Sequence, residues 1–428
     1  MTPPGFDIPA LLRALFDAAV SAADPMRVVP RNLPPRPPGR VVVVGAGKAS
    51  ARMAEAVETE WGPCEGLVIT RYGDGCRLAG IEVVEAAHPV PDAAGVAASQ
   101  RMLDLLATCG EGDFVLALIS GGASALLAAP VEGIGLADKQ ALNTALLESG
   151  APLWQINLVR KHLSRVKGGR LAAAAWPADM LALVLSDVAG EDPAVIGSGP
   201  TVGEGSTPED ALRVLDQWRI DLPLSLRATI AQAPPPPAPE DARLARATTR
   251  IIGTPAQALA AAGDTAIAAG CRVEILGARI AGEAGTLARE HATLARRTRL
   301  APGSAPLVLL SAGELTVERG EGPAGTGGPN AEYMLSLGMA LDGNPHVWAI
   351  ACDTDGIDGN AGAAGAMIGP DFPARVAAAG LNPRRALANH DAHGFFAGVG
   401  GQVVTGPTRT NVNDFRAILI LSEPRKTA

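Results

Sequence analysis

The chain has 428 residues, of which 47% are hydrophobic but only 3% aromatic, and its net charge is -8 at pH 7. That length exceeds what one hydrophobic core ordinarily organises, so two domains are expected. The acidic balance and the lack of aromatic stacking platforms exclude a single-stranded nucleic-acid binder, and no apolar run approaches the roughly 18 residues needed to span a bilayer.

At the start, Pro3, Pro4 and Asp7 stand where a signal peptide would need a basic start and an apolar stretch, so a cytoplasmic protein is expected. Leu11, Leu12, Leu15, Phe16 and Val20 follow at helical spacing and predict a leading helix over residues 8–23. A proline-rich connector over 30–38 ends just before Val41-Val42-Val43-Val44, a β-branched run that reads as a strand buried on both faces. Residues 49–60 are helical in composition, and Gly66-Leu67-Val68-Ile69-Thr70 reads as the next strand, completing a βαβ unit. Further strands over 114–119 and 180–185 run into Ser120-Gly121-Gly122 and Ser186-Asp187. The alternation predicts an α/β fold of two lobes, each a largely parallel sheet flanked by helices, with the active site in the cleft between them.

Pro234-Pro235-Pro236-Pro237-Ala238-Pro239 reads as a semi-rigid linker with no packing role of its own. The expected domains are therefore 1–233 and 241–428, joined by a linker over 234–240. Strands of the second lobe are expected at 250–252, 272–276, 306–310, 347–351 and 417–421. The cysteines at 64, 76, 109, 271 and 352 form no C-x-x-C pair and read as reduced, mostly buried hydrophobes.

Several turns can carry chemistry. Gly45-Ala46-Gly47-Lys48 joins a strand to a helix, where backbone N–H groups and the helix dipole suit an anion, although a merely tight turn would look similar. The dinucleotide fingerprint is incomplete, because Ser50 replaces its third glycine and Thr70-Arg71 replaces the ribose-binding acid. Ser120-Gly121-Gly122-Ala123-Ser124 can wrap a phosphate through backbone and Oγ contacts, or serve as a helix N-cap. His88-Pro89-Val90-Pro91-Asp92 forms a rigid loop with two titratable side chains. From Asn157 to Arg170 the chain gathers five cations and a histidine. On one helix Arg160, Ser164 and Lys167 would share a face, offering a carboxylate fork and a phosphate-binding ammonium. A solvated basic face is the alternative.

Acids follow strands at Asp187, Glu314 and Asp353-Thr354-Asp355-Gly356, where turn-forming roles compete with magnesium binding. The stretch 325–332 is rich in glycine, and 405–414 offers hydroxyls and amides, including Thr408 and Arg409. Anion turns, cations and acids together are the inventory for phosphoryl transfer.

With these residues in view, the chain resembles the class II glycerate 2-kinase family, whose members are often named hydroxypyruvate reductase and whose C-terminal lobe carries the MOFRL name. The resemblance rests on Gly45-Ala46-Gly47-Lys48-Ala49, His88-Pro89-Val90-Pro91-Asp92, Ser120-Gly121-Gly122-Ala123-Ser124, Val159-Arg160-Lys161-His162-Leu163-Ser164 with Lys167-Gly168-Gly169-Arg170, Ser186-Asp187-Val188, Gly197-Ser198-Gly199-Pro200-Thr201, Asp353-Thr354-Asp355-Gly356 and Thr405-Gly406-Pro407-Thr408. It implies phosphorylation of D-glycerate to 2-phosphoglycerate with ATP and Mg2+, and Lys48 matches the family's catalytic lysine. Pro329 stands where many members have Arg, and Thr326 where a basic residue is frequent, so a substrate cation is expected from Arg160 or Arg409.

The site expected on this basis puts ATP phosphates on Gly45, Gly47, Ser120, Gly121, Gly122 and Ser124, aided by Lys167. Magnesium is expected on Asp187 and Glu314, and the glycerate carboxylate on Arg160 or Lys167. His88, Asp355 and Thr408 are expected at the substrate, with Asp187 or Asp355 orienting its 2-hydroxyl. An NAD(P)H-dependent hydroxypyruvate reductase and a non-catalytic nucleotide sensor are the alternatives.

Overall fold

The structure, a computed structural model, describes residues 7–188, 190–317 and 325–423; Pro3 and Pro4 lie outside them. The chain divides into two compact units, one formed by Pro25–Ile252 and the other by Met1–Asp24 with Gly253–Ala428.

The first unit is built on six strands: β1 (Val41–Ala46), β2 (Glu65–Arg71), β3 (Ile81–Ala86), β4 (Phe114–Ile119), β5 (Asp179–Leu185) and β6 (Ala247–Gly253), in the order β3-β2-β1-β4-β5-β6. β3 to β2, β2 to β1, β1 to β4 and β4 to β5 all pair in parallel. Val41 to Val44 are at most 4% exposed, and alternate valines enter separate apolar clusters on the two faces of the sheet. Burial on both faces is why the run carries no polar alternation. The order reverses between β1 and β4. In an open α/β sheet that switch point leaves a crevice at the C-terminal strand ends, because the flanking connections depart in opposite directions.

Beside the sheet, helices Leu136–Glu148, Leu153–His162, Pro208–Gln217 and Leu224–Gln232 pack around a satellite core containing Leu142, Leu146, Ile156, Val159, Val214 and Ile230.

The second unit contains β7 (Arg272–Gly277), the short pair β8 (Gly282–Glu283) and β10 (Leu315–Thr316), β9 (Leu307–Ala312), β11 (Val347–Asp353), β12 (Gly365–Ile368), β13 (Gln402–Val403) and β14 (Asp414–Ile420). Its main sheet runs β13-β12-β11-β14-β9-β7. Only β7 and β9 are parallel there; the other neighbours are antiparallel. The expected largely parallel second sheet is thus corrected to a mixed one. Buried strands carry similar apolar runs in either direction, so composition alone did not distinguish them.

The expected boundaries also move. Residues 250–252 belong to β6 and extend the first sheet, with Met180 N–H donating to Arg246 O (2.9 Å). The leading helix Ile8–Ala22, capped by Asp7 at Ala10 N–H, packs on helix Pro255–Ala268 in the second unit. The proline stretch is no bare linker: Pro236 and Pro237 are buried within the first unit, Pro237 O accepts from Glu204 N–H (2.8 Å), and Pro234 O accepts from Arg170. Proline lacks a backbone donor, but its ring packs and its carbonyl still accepts.

Candidate active site

Lys48 lies just beyond β1, and Gly121-Gly122 just beyond β4, on either side of the switch point. The two turns are locked together. Gly47 N–H donates to Ile69 O (3.1 Å), Lys48 N–H to Gly121 O (2.8 Å), Ala49 N–H to Ser120 Oγ (3.0 Å) and Ser50 N–H to Gly47 O (3.1 Å). The amides expected to cradle phosphate at Gly45-Ala46-Gly47-Lys48 are therefore satisfied by protein acceptors. The glycines serve close approach instead: a Cβ on Gly45 would strike Leu118 O, and one on Gly47, at φ +138, would strike Ser120. Ser120, fully buried, is likewise occupied in bracing the first turn.

Gly121 and Gly122 differ. Among the described residues no acceptor meets either N–H. Gly122 is left-handed (φ +83), and a Cβ there would lie 3.2 Å from His88 Nε2 and 3.3 Å from Lys48 Cγ. Glycine at this position thus lets the His88 ring and the Lys48 chain close on the second turn.

Alongside is a cavity of about 290 Å³, lined among others by His88, Gly122, Ser124, Lys139, Asn143, Asn157, Arg160, Lys167 and Asp187. Three of these are cations, Lys139 and Lys167 buried and Arg160 half-buried. Arg160 Nε donates to Asn143 Oδ1 (2.6 Å), and Lys167 Nζ to Ser124 O (2.7 Å) and Leu127 O (3.2 Å). Among the described residues no carboxylate forms an ion pair with Lys139, Arg160 or Lys167. Burial therefore pushes the Lys139 ammonium down to about 8, helped by the Arg160 charge; burial likewise lowers Arg160 to about 10, and Lys167 well below the usual lysine range. A chain of polar contacts closes one side: Ser124 Oγ to Ser198 Oγ (2.8 Å), and Ser198 Oγ to Asn157 Oδ1 (3.1 Å).

The basic segment is sorted by its partners. Helix Leu153–His162 stops before Ser164, so the expected single face is not formed, yet Arg160 and Lys167 still meet at the cavity. Lys161 pairs with Glu204, Arg165 donates to Gln100, Arg170 holds the carbonyls of Lys161 and Ser164, and Ser164 Oγ accepts from Val166 N–H.

A family model described as a domain of unknown function, DUF4147, matches residues 11–231, and the MOFRL family model matches 307–414. A relative from Agrobacterium vitis, provisionally named a hydroxypyruvate reductase, is 48% identical over 96% of this chain and 94% of its own. The D-glycerate 2-kinase of Thermotoga maritima is 37% identical over 94% of this chain and 96% of its own. The chain belongs to the class II glycerate kinase family. A solved Thermotoga maritima glycerate kinase structure covers 96% of this chain and 99% of its own at a TM-score of 0.85 and 36% identity. A Pyrococcus horikoshii structure covers 98% and 99% at 0.79 and 34%.

Within this glycerate kinase family member, the remaining expected site residues lie in the second, MOFRL-bearing unit. Glu314 is exposed at the β9–β10 turn. Asp355 is buried, with Oδ1 accepting from Ile357 N–H (2.8 Å), and Thr408 ties its loop to it through Thr408 N–H to Asp355 O (3.0 Å). Asp187 and Glu314 thus stand in different units. Among the described residues, no group of three His, Cys, Asp or Glu side chains is placed to hold a metal. Among the described residues, no helix is long and apolar enough to cross a membrane either.

The same unit holds a buried polar cluster at the start of helix Pro329–Leu341. Asp358 Oδ1 accepts from Asn330 N–H (3.0 Å) and Asn330 Nδ2 (3.2 Å); its Oδ2 accepts from Ala331 N–H (2.8 Å) and contacts His393 Nε2 (3.0 Å). Asn330 Nδ2 also reaches Asp414 Oδ1 (2.6 Å), and Arg416 lies 3.6 Å from Asp414. Pro329 opens this helix without a donor of its own, as suits a first helical position.

Lys139, Asn143 and Asn157 were not assigned from sequence. A signal was present: Lys139 shares helical spacing with Leu142 and Leu146, placing a lysine on the apolar stripe of its helix.

Proposed function

We propose that this protein is an ATP-dependent glycerate 2-kinase, converting D-glycerate to 2-phosphoglycerate. The observation that carries the reading is the cluster of Lys139, Arg160 and Lys167, which form no ion pair among the described residues, together with the open Gly121-Gly122 amides at the sheet's switch point. Phosphoryl transfer needs such positive groups, because catalysis consists mainly of positioning the reactants and neutralising charge on the moving phosphoryl. The names of the Thermotoga maritima and other relatives favour glycerate as the acceptor.

In this reading the glycerate 2-oxygen attacks the γ-phosphorus, the bond to the ADP oxygen breaks, and the hydroxyl proton leaves to a nearby base. Lys48 neutralises the equatorial oxygens, while the Gly121 and Gly122 amides donate to the phosphates. Asp187 fits magnesium, since one carboxylate beside phosphate oxygens is how that ion is ordinarily held. The ion would supply further charge neutralisation. His88, which lies beside Gly122, takes the hydroxyl proton in this reading.

The provisional name of the Agrobacterium vitis relative favours a second reading, an NAD(P)H-dependent hydroxypyruvate reductase. Against it, Ser50 stands at the third fingerprint position, buried with its Oγ donating to Leu118 O (3.0 Å), and the first-turn amides are already used. The deciding assay measures ATP consumption with D-glycerate and identifies the product as the 2- or 3-phosphate. NADH loss driven by hydroxypyruvate without ATP would overturn the kinase reading.

A further inference from the structure

The cavity beside the switch point has two unlike walls. One carries Lys139, Arg160 and Lys167, opposed among its lining residues by a single carboxylate, Asp187. The other is formed by Leu142, Leu146, Leu147 and Leu153. Leu147 and Leu153 are 57% and 48% exposed, so apolar surface continues from the cavity to its rim.

Resting on the kinase reading, we propose that this cavity is the nucleotide's own site, with the polyphosphate on Lys139, Arg160 and Lys167 and the base on the leucine wall. Lys139 is then a phosphate-binding residue and not a structural one.

Charge decides between the two substrates. Glycerate brings one negative charge, which would leave buried positive charge uncompensated; a polyphosphate brings several. Buried charge without a partner is costly, and an empty site of this kind is stabilised by the ligand that neutralises it. Surface chemistry points the same way, since glycerate has a polar group on every carbon and gains nothing from four leucines, whereas a purine buries an apolar face. Exposed apolar surface bordering a polar pocket is the usual mark of a ligand groove. Lys139 has no acidic partner among the described residues and is only 7% exposed, so its ammonium contributes little to the fold that a methionine would not.

The test uses the full-length protein and two probes, ATP and inorganic tripolyphosphate, titrated by calorimetry at pH 7. Lys139→Met should weaken both by about tenfold or more, the range for a charge-assisted contact. Leu147→Ser combined with Leu153→Ser should weaken ATP about tenfold yet leave tripolyphosphate within about twofold, because only ATP has a base to bury. KM for D-glycerate should stay within about twofold in both variants, and the thermal midpoint of Lys139→Met should not fall. The inference is overturned if the leucine variant binds ATP normally, if either variant shifts the glycerate KM instead, or if Lys139→Met lowers stability with unchanged ATP affinity. If the nucleotide effects appear but glycerate is not phosphorylated, the kinase reading falls and the site assignment stands.

Discussion

Two buried polar regions of this molecule use charge in opposite ways. In the second unit, Asp358, Asn330, Asp414, His393 and Arg416 satisfy one another across several chain segments, and among the described residues Asn330 Oδ1, His393 Nδ1 and Arg416 Nη2 are the cluster's buried atoms that meet no partner. In the first unit, Lys139, Arg160 and Lys167 converge on a cavity with no ion pair among the described residues. Partnered buried charge stabilises a fold against its own disruption. Unpartnered buried charge lowers stability and persists where a ligand supplies the missing counter-charge.

The largest expected effect comes from breaking the satisfied region. Asp358→Ala removes the acceptor for Asn330, Ala331 and His393 and should cost about 4 kcal/mol, read from denaturant unfolding. A loss below about 1 kcal/mol would break the contrast. At the switch point, Lys48→Ala should lower kcat with D-glycerate by about a hundredfold, roughly 3 kcal/mol, with an unchanged unfolding midpoint. Wild-type turnover in that variant would remove Lys48 from the chemistry. Gly47→Ala should cost about 2 kcal/mol of stability, because the new Cβ strikes Ser120 at a φ of +138. If it instead spared folding and abolished only nucleotide binding, the glycine would be a phosphate contact after all.

The smallest effect is the sharpest. Lys139→Met should raise stability at pH 7 by about 1 kcal/mol, the opposite sign to Asp358→Ala. The pH dependence follows from proton counts. Lys139 titrates near 10.5 when unfolded and near 8 when folded, so between these values the unfolded chain binds more protons and wild-type stability rises with pH. Below about 8 both states are protonated and the full penalty applies. Lys167 is displaced in the same direction, and Arg160, Asp187 and His88 also line the cavity. The wild-type minus Lys139→Met difference isolates Lys139, and a difference that does not shrink from pH 7 to 10.5 would contradict the assignment.

Much of the fold was legible. The valine run of β1, the strands ending at Ile119 and Leu185, and the Asp7-capped helix stand where periodicity puts them. Misreadings arose where local pattern is silent about partners. β6 has strand composition but no mark of which sheet it joins. The proline stretch looks like a spacer unless its rings are seen buried against the first unit. Of the cations at 157–170, Arg160 and Lys167 reach the cavity, while Lys161 and Arg170 are occupied elsewhere.

By itself the sequence determined the α/β class, the strand-to-helix turns, and the presence of Lys48 and Gly121-Gly122 at strand ends, because backbone geometry and side-chain period are local properties. Tertiary structure alone decided that the first turn's amides are consumed by Ile69, Gly121 and Ser120. It also decided that Lys139, on a different helix, meets Arg160 and Lys167 with no ion pair to any of the three among the described residues. Whether a charge or a donor is satisfied depends on what other segments bring to it, and no window of sequence contains that information.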